Sequence, residues 1–103
     1  MPLTLDALLP HVGSTFTAET SGGPVPLQLA EAVERPRGGL PARFATPLSL
    51  LLRGPEHLRL VQDNYRLAHP ALGEHTWMLV PVGGEGVPSG AYEVVLSQLA
   101  EPA

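Results

Sequence analysis

The side chains with the most chemical potential in this chain are four histidines, His11, His57, His69 and His75. Imidazole is the group that changes charge near neutral pH and also ligates transition metals well. His69 and His75 flank a short Pro70-Ala71-Leu72-Gly73-Glu74 run, so the spacing predicts two imidazoles facing each other across a hairpin with Glu74 beside them. Two histidines and one carboxylate are a conceivable metal set, but the spacing is loose and fixes no further ligand. The structural reading is therefore the stronger one: His69 hydrogen-bonds the turn and His75 is solvated. Arg53 closes an apolar strand and must reach solvent or pair with an acid, for which Glu56, Asp63 and Glu93 are at hand. A structural ion pair or turn contact is expected there rather than a ligand site. His69, Glu74, His75 and Arg53 make up the candidate polar site, and no catalytic, cofactor-binding or metal-ligating residue is assigned.

Other chemistries find less support. None of Ser14, Ser21, Ser49, Ser89 or Ser97 lies in the Gly-x-Ser-x-Gly context of a nucleophile elbow. The acids Glu19, Glu31, Glu34, Glu56, Asp63 and Glu85 fall mainly at strand flips and loops, the usual positions of solvated carboxylates rather than of a catalytic pair. Gly83-Gly84-Glu85-Gly86 lacks the following Lys-Ser/Thr of a phosphate loop. The chain has no cysteine, which removes disulfides, thiol nucleophiles and thiolate zinc sites. A net charge of −4 and scattered arginines from Arg35 to Arg66 offer no basic stripe to a phosphate backbone, so nucleic acid is not an expected partner.

At 103 residues, one domain spanning 1–103 is the expectation. A hydrophobic fraction of 44% against 16% charged residues is that of a chain that folds. No apolar run approaches the ~20 residues of a membrane span, and the start lacks the basic and apolar regions of a signal peptide; no membrane partner and a cytoplasmic location are expected. The absence of lysine and isoleucine, with abundant Ala, Gly, Pro, Leu and Arg, suggests a GC-rich bacterial coding sequence.

The elements that must position these residues read mostly as strands. Thr4 suits the N-cap of a single helical turn over 5–9, which Pro10 should stop. Phe16 and Ala18 alternate with Thr15, Thr17 and Glu19, a half-buried strand ending at the Ser21-Gly22-Gly23-Pro24 turn. Val25, Leu27 and Leu29 share one face of its hairpin partner, with Gln28, Ala30 and Ala32 opposite. A third strand over 43–53 puts Phe44, Thr46, Leu48, Leu50 and Leu52 in phase, with Pro47 marking an edge or bulge. Tyr65, Leu67 and His69 point one way in a fourth strand. Trp77, Leu79 and Pro81 then alternate with Met78, Val80 and Val82, apolar on both faces, which predicts a central strand. The stretch from Phe44 to Val82 reads as three consecutive strands covering one another, with 55–63 as a loop or a helical turn. Gly83 to Gly90 reads as a mobile loop, Tyr92, Val94 and Leu96 line the last strand, and Glu101 to Ala103 should fray. Six short strands separated by Gly and Pro define an all-β chain, a small antiparallel barrel or sandwich with a short N-terminal helical turn.

Four segments carry a family resemblance: Phe44 to Arg53-Gly54-Pro55, then Tyr65-Arg66-Leu67-Ala68-His69-Pro70-Ala71-Leu72-Gly73, then Leu79-Val80-Pro81-Val82-Gly83, then Ala91-Tyr92-Glu93-Val94-Val95. Together they resemble a family of small bacterial proteins classed as a domain of unknown function. Its pattern is an apolar strand closed by Arg-Gly-Pro, a Tyr-x-Leu-x-His-Pro-x-Leu-Gly hairpin, a Leu-Val-Pro-Val-Gly strand end and a closing Tyr-Glu. Residues 59–64 depart from the Gly-containing turn of that pattern. The resemblance implies no activity, catalytic residue or cofactor. Its relatives resemble accessory proteins beside phage-tail-like genes, which implies an assembly or interaction role. The expected function is a non-enzymatic β-module that binds another protein or self-associates as a homo-oligomer, with a sheet edge as one means of contact. The alternative is a small-molecule or metal-binding barrel using His69, His75 and Glu74.

Overall fold

The computed structural model describes residues 3–83 and 90–98. After a short helix, α1 (Leu5–Leu8), and a 3-10 turn over Leu9–His11, six strands follow: β1 (Thr15–Thr20), β2 (Gly23–Glu34), β3 (Leu48–Arg53), β4 (Asp63–His69), β5 (Gly73–Pro81) and β6 (Ala91–Leu96). They close into an antiparallel barrel in the order β1-β2-β3-β6-β5-β4. Of the two all-β architectures open to the sequence, the barrel is the one formed.

Alternation builds the interior. Successive strand residues point to opposite faces, so Phe16 and Ala18 of β1, Leu48, Leu50 and Leu52 of β3, and Tyr92, Val94 and Leu96 of β6 all turn inward and are buried. Each fully buried leucine contributes about 2 kcal/mol relative to exposure. The Thr4 hydroxyl caps α1 by accepting from the Ala7 amide, and Leu8 is buried in the core. Pro10 does not end this segment as the sequence suggests. Its missing N–H costs nothing in the first turn of a helix, so it sits at the start of the 3-10 turn instead. Two hydrogen bonds of 2.9 Å, from the Leu3 amide to Gln98 Oε1 and from Gln98 Nε2 to the Leu3 carbonyl, tie the start of the described chain to its end.

Several expectations are corrected. β3 begins at Leu48 rather than Arg43, because Pro47 cannot donate to a ladder; Phe44 makes only an isolated bridge. The three consecutive strands do not all cover one another: β3 pairs with β2 and β6, and β4 with β1 and β5. Residues 55–62 form loop and turn without a helix. In β2 the register against β3 shifts between Leu29 and Glu31. One residue of bulge exchanges the two faces, so Ala32, expected opposite Leu29, is buried as Leu29 is. The loop expected over 83–90 lies outside the described residues apart from Gly83 and Gly90, and the frayed tail over 101–103 lies wholly outside them. Among the described residues no helix is long and apolar enough to cross a membrane.

Candidate functional site

The pleat sets Glu74 on the opposite face from His69 and His75, and Arg53 lies apart from all three at the end of β3. Leu67 stands opposite His75 and Ala68 opposite Glu74. Leu67 and His69 therefore share the inner face of β4, His75 shares the inner face of β5, and Glu74 turns outward. Among the described residues no three His, Asp or Glu side chains group as a metal site.

Each of the four has other partners. His69 is only 7% exposed, and its Nδ1 accepts from the Ala71 amide at 3.0 Å and the Leu72 amide at 3.1 Å. Its Nε2 lies 2.8 Å from Ser14 Oγ. Both backbone donors carry hydrogen, so Nδ1 carries none; the ring is neutral with its proton on Nε2, and that proton is donated to Ser14 Oγ. The Ser14 hydroxyl donates onward to the His11 carbonyl. Burial, and then the His11 ring, hold the His69 pKa below its ordinary value. The His11 and His69 rings meet edge to face with centroids 5.1 Å apart, and Phe16 packs on His69 at 4.9 Å. His75 is 2.7 Å from the Leu72 carbonyl through Nε2 and stacks on Trp77 with centroids 4.8 Å apart, so it is half-buried rather than solvated. Glu74 pairs with Arg66 at 3.1 Å in an exposed position. Arg53 is exposed at the end of β3. Of the ion pair or turn contact expected of it, the ion pair is not formed among the described residues, where Arg66 and Glu74 form the only salt bridge and Glu93 sits 3.3 Å from the Ser49 hydroxyl.

The Ser14 and His69 contact has the distance of a nucleophile and its base but the opposite polarity. A general base must accept the serine proton, whereas here the ring donates and its other nitrogen is occupied by two amides. The bond joins the segment before β1 to the β4–β5 turn.

The Arg-Gly-Pro motif has a packing explanation. A Cβ at Gly54 would lie 2.8 Å from Leu27 Cδ2, and the Gly54 amide donates to the Gly90 carbonyl at 2.7 Å. Gly90 has φ +82° and would place a Cβ 2.9 Å from the Gly54 carbonyl oxygen. Nearby, the Tyr92 hydroxyl accepts from the Leu60 amide at 2.8 Å and fastens the 55–62 loop over the barrel mouth. Arg37 organises the long β2–β3 connection by donating to Thr46 Oγ1, the Pro41 carbonyl and the Phe44 carbonyl. Sequence reasoning missed these contacts, since each joins residues whose proximity no local pattern announces.

The outer surface is divided. On β1 and β4 it carries Thr15, Thr17, Glu19, Asn64 and Arg66, all exposed. Across β2, β3, β6 and β5 the register aligns Val33 with Ser49 and Val95 in one row, and Glu31 with Leu51, Glu93 and Val80 in the next. Val33, Val95 and Met78 are 41%, 47% and 42% exposed. A shallow depression of about 180 Å³ lies in this half, lined by Glu31, Val33, Ser49, Leu50, Leu51 and Glu93. The sequence reading took β5, apolar on both faces, as a central strand, and it lies between β4 and β6. In a barrel one face of every strand must look outward, and Met78 and Val80 are on it.

These features define a small closed β-barrel with a filled interior and an aliphatic band on one side of its surface. Residues 3–96 match the family described as a domain of unknown function, DUF6916, and the chain belongs to that family. No curated protein and no solved structure matches it.

Proposed function

We propose that this chain is a non-enzymatic β-module that docks another protein within a larger assembly. The observation that carries the reading is the aliphatic half of the outer surface, where Val33, Leu51, Val95, Val80 and Met78 cross four strands while the β1 and β4 side is polar. Exposed aliphatic side chains gathered on one face are what protein contact sites present. The two carboxylates within the band, Glu31 and Glu93, argue for a partner other than a second copy. A like face would bring like charges together, whereas a face with basic groups among apolar ones would complement it. An accessory role in a bacterial phage-tail-like particle, assembled in the cytoplasm, is consistent with this reading.

The filled interior and the dispersal of His69, His75 and Glu74 leave the small-molecule or metal alternative without an observation in its favour. Native mass spectrometry of the untagged protein from its own host tests the proposal, alongside a Val33→Glu/Val95→Glu variant of unchanged circular dichroism. A complex of defined mass lost in the variant supports it. A monomer carrying a stoichiometric metal or small-molecule mass overturns it.

A further inference from the structure

Among the described residues the ladder that closes the barrel is short along one seam. β5 and β6 pair only at Val80 with Glu93 and Pro81 with Tyr92, although both strands continue beyond that point, β5 back to Gly73 and β6 on to Leu96. The direction of the free backbone groups follows from the ladder. The Val82 amide donates to the Ala91 carbonyl, and in an antiparallel strand the N–H and C=O of one residue point to the same side while those of the next point away. The even-numbered residues of β5 therefore face β6, and the odd-numbered ones face β4. Glu74, Thr76 and Met78 turn their amides and carbonyls into the seam, beyond the pairing with β6, which among the described residues stops at Val80. Val95, odd-numbered on β6, faces the same gap.

An edge of this kind is a template for another strand; its outward side chains run from the polar Glu74 and Thr76 to Met78, with Val80 and Val95 continuing the apolar part. Met78 and Val80 project outward from β5 and Val95 from β6. We infer that an extended segment of the partner protein adds as a strand to the Glu74–Met78 edge of β5, its backbone pairing with these free groups and its alternate aliphatic side chains lying on Met78, Val80 and Val95. A second copy of this chain fits less well, because antiparallel pairing of β5 with itself about Thr76 would set each Glu74 carboxylate opposite a Met78 thioether. The inference rests on the interaction-module reading and specifies how the partner is held.

The test uses the whole chain, labelled with nitrogen-15, and a capped Arg-Thr-Val-Thr-Val-Thr-Val-Arg peptide at millimolar concentration as the probe. The amides of Glu74, Thr76 and Met78 are expected to exchange fast in the free protein. With peptide they should shift and slow in exchange by about ten-fold or more. The same peptide N-methylated at its valines keeps the side chains, loses the donors and should do neither. A Thr76→Pro variant, which removes an amide the barrel does not use, should retain the fold and lose the response; if it unfolds, the amide readout on the unsubstituted chain decides alone. Protection of these three amides in the free monomer, or no response to either peptide, overturns the inference. A dimer in which the same amides are protected assigns the edge to a second copy and also overturns it. If the Val33→Glu/Val95→Glu variant abolishes the native complex while the β5 amides never respond, the module reading stands and strand addition fails.

Discussion

The His69 imidazole and the Ser14 hydroxyl meet at 2.8 Å across 55 residues of chain, and the proton on that bond belongs to the ring. This polarity is imposed from the other side, by the Ala71 and Leu72 amides that both donate to Nδ1. Adding a second proton to the ring would aim an N–H at two N–H groups, so protonation and the observed turn are incompatible.

The sign of the pH dependence follows. Burial, and then the His11 ring, lower the His69 pKa in the folded chain, so below the ordinary value the unfolded chain binds a proton that the folded chain refuses. Stability contributed by His69 is complete above about pH 6.5, declines as pH falls below it, and levels off once the folded-state pKa is passed. Urea midpoints measured across this range check it. A His69→Gln variant, which cannot titrate, should flatten that part of the profile, and an unchanged slope would refute the assignment.

Removing the network costs more than removing its end. His69→Leu leaves the Ala71 and Leu72 amides and the Ser14 hydroxyl without their acceptor or donor, a loss of about 2 kcal/mol. Ser14→Ala removes a smaller share, about 1 kcal/mol. Chemical denaturation of the two single variants and the double one measures the coupling, which should be clearly non-additive.

Tyr92→Phe keeps the ring in the core and deprives the buried Leu60 amide of its 2.8 Å acceptor. The expected destabilisation is about 1–2 kcal/mol. Amide exchange should quicken at Leu60 before it changes in β3 or β6.

Alanine at the two glycines of the barrel mouth separates a flexible obstacle from a rigid one. At Gly54 the new methyl meets the far end of the Leu27 side chain, which can turn aside, whereas at Gly90 it meets the Gly54 carbonyl oxygen in a left-handed backbone. Thermal unfolding should show Gly90→Ala to be the costlier change, with Gly54→Ala at about 1–3 kcal/mol.

The Arg66 and Glu74 pair is exposed on both sides. Glu74→Gln should therefore move stability by no more than about 0.5 kcal/mol, and less at high salt.

The sequence made the strands visible because their inner residues recur every second position. Phe16 and Ala18, Leu48 to Leu52, and Tyr92 to Leu96 all fall on the face that alternation assigns to them. Periodicity failed where the backbone breaks its own rhythm, as at Ala32 beyond the bulge, and where hydrophobicity is not burial, as at Met78 and Val80. Strand order was not legible, since nothing local tells β3 to pass over β4 and pair with β6. The histidine hairpin was found in the right place, but its chemistry turned on Ser14, a residue that in one dimension carries no motif.

The paired hydrogen bonds between Leu3 and Gln98 have a consequence for how the chain can be reconnected. Leu3 and Gln98 lie together at one pole, beside α1, while the Ser21-Gly22 turn lies far along β1 from that pole. A circular permutant opened at Ser21-Gly22 and rejoined through a short linker should keep its shape.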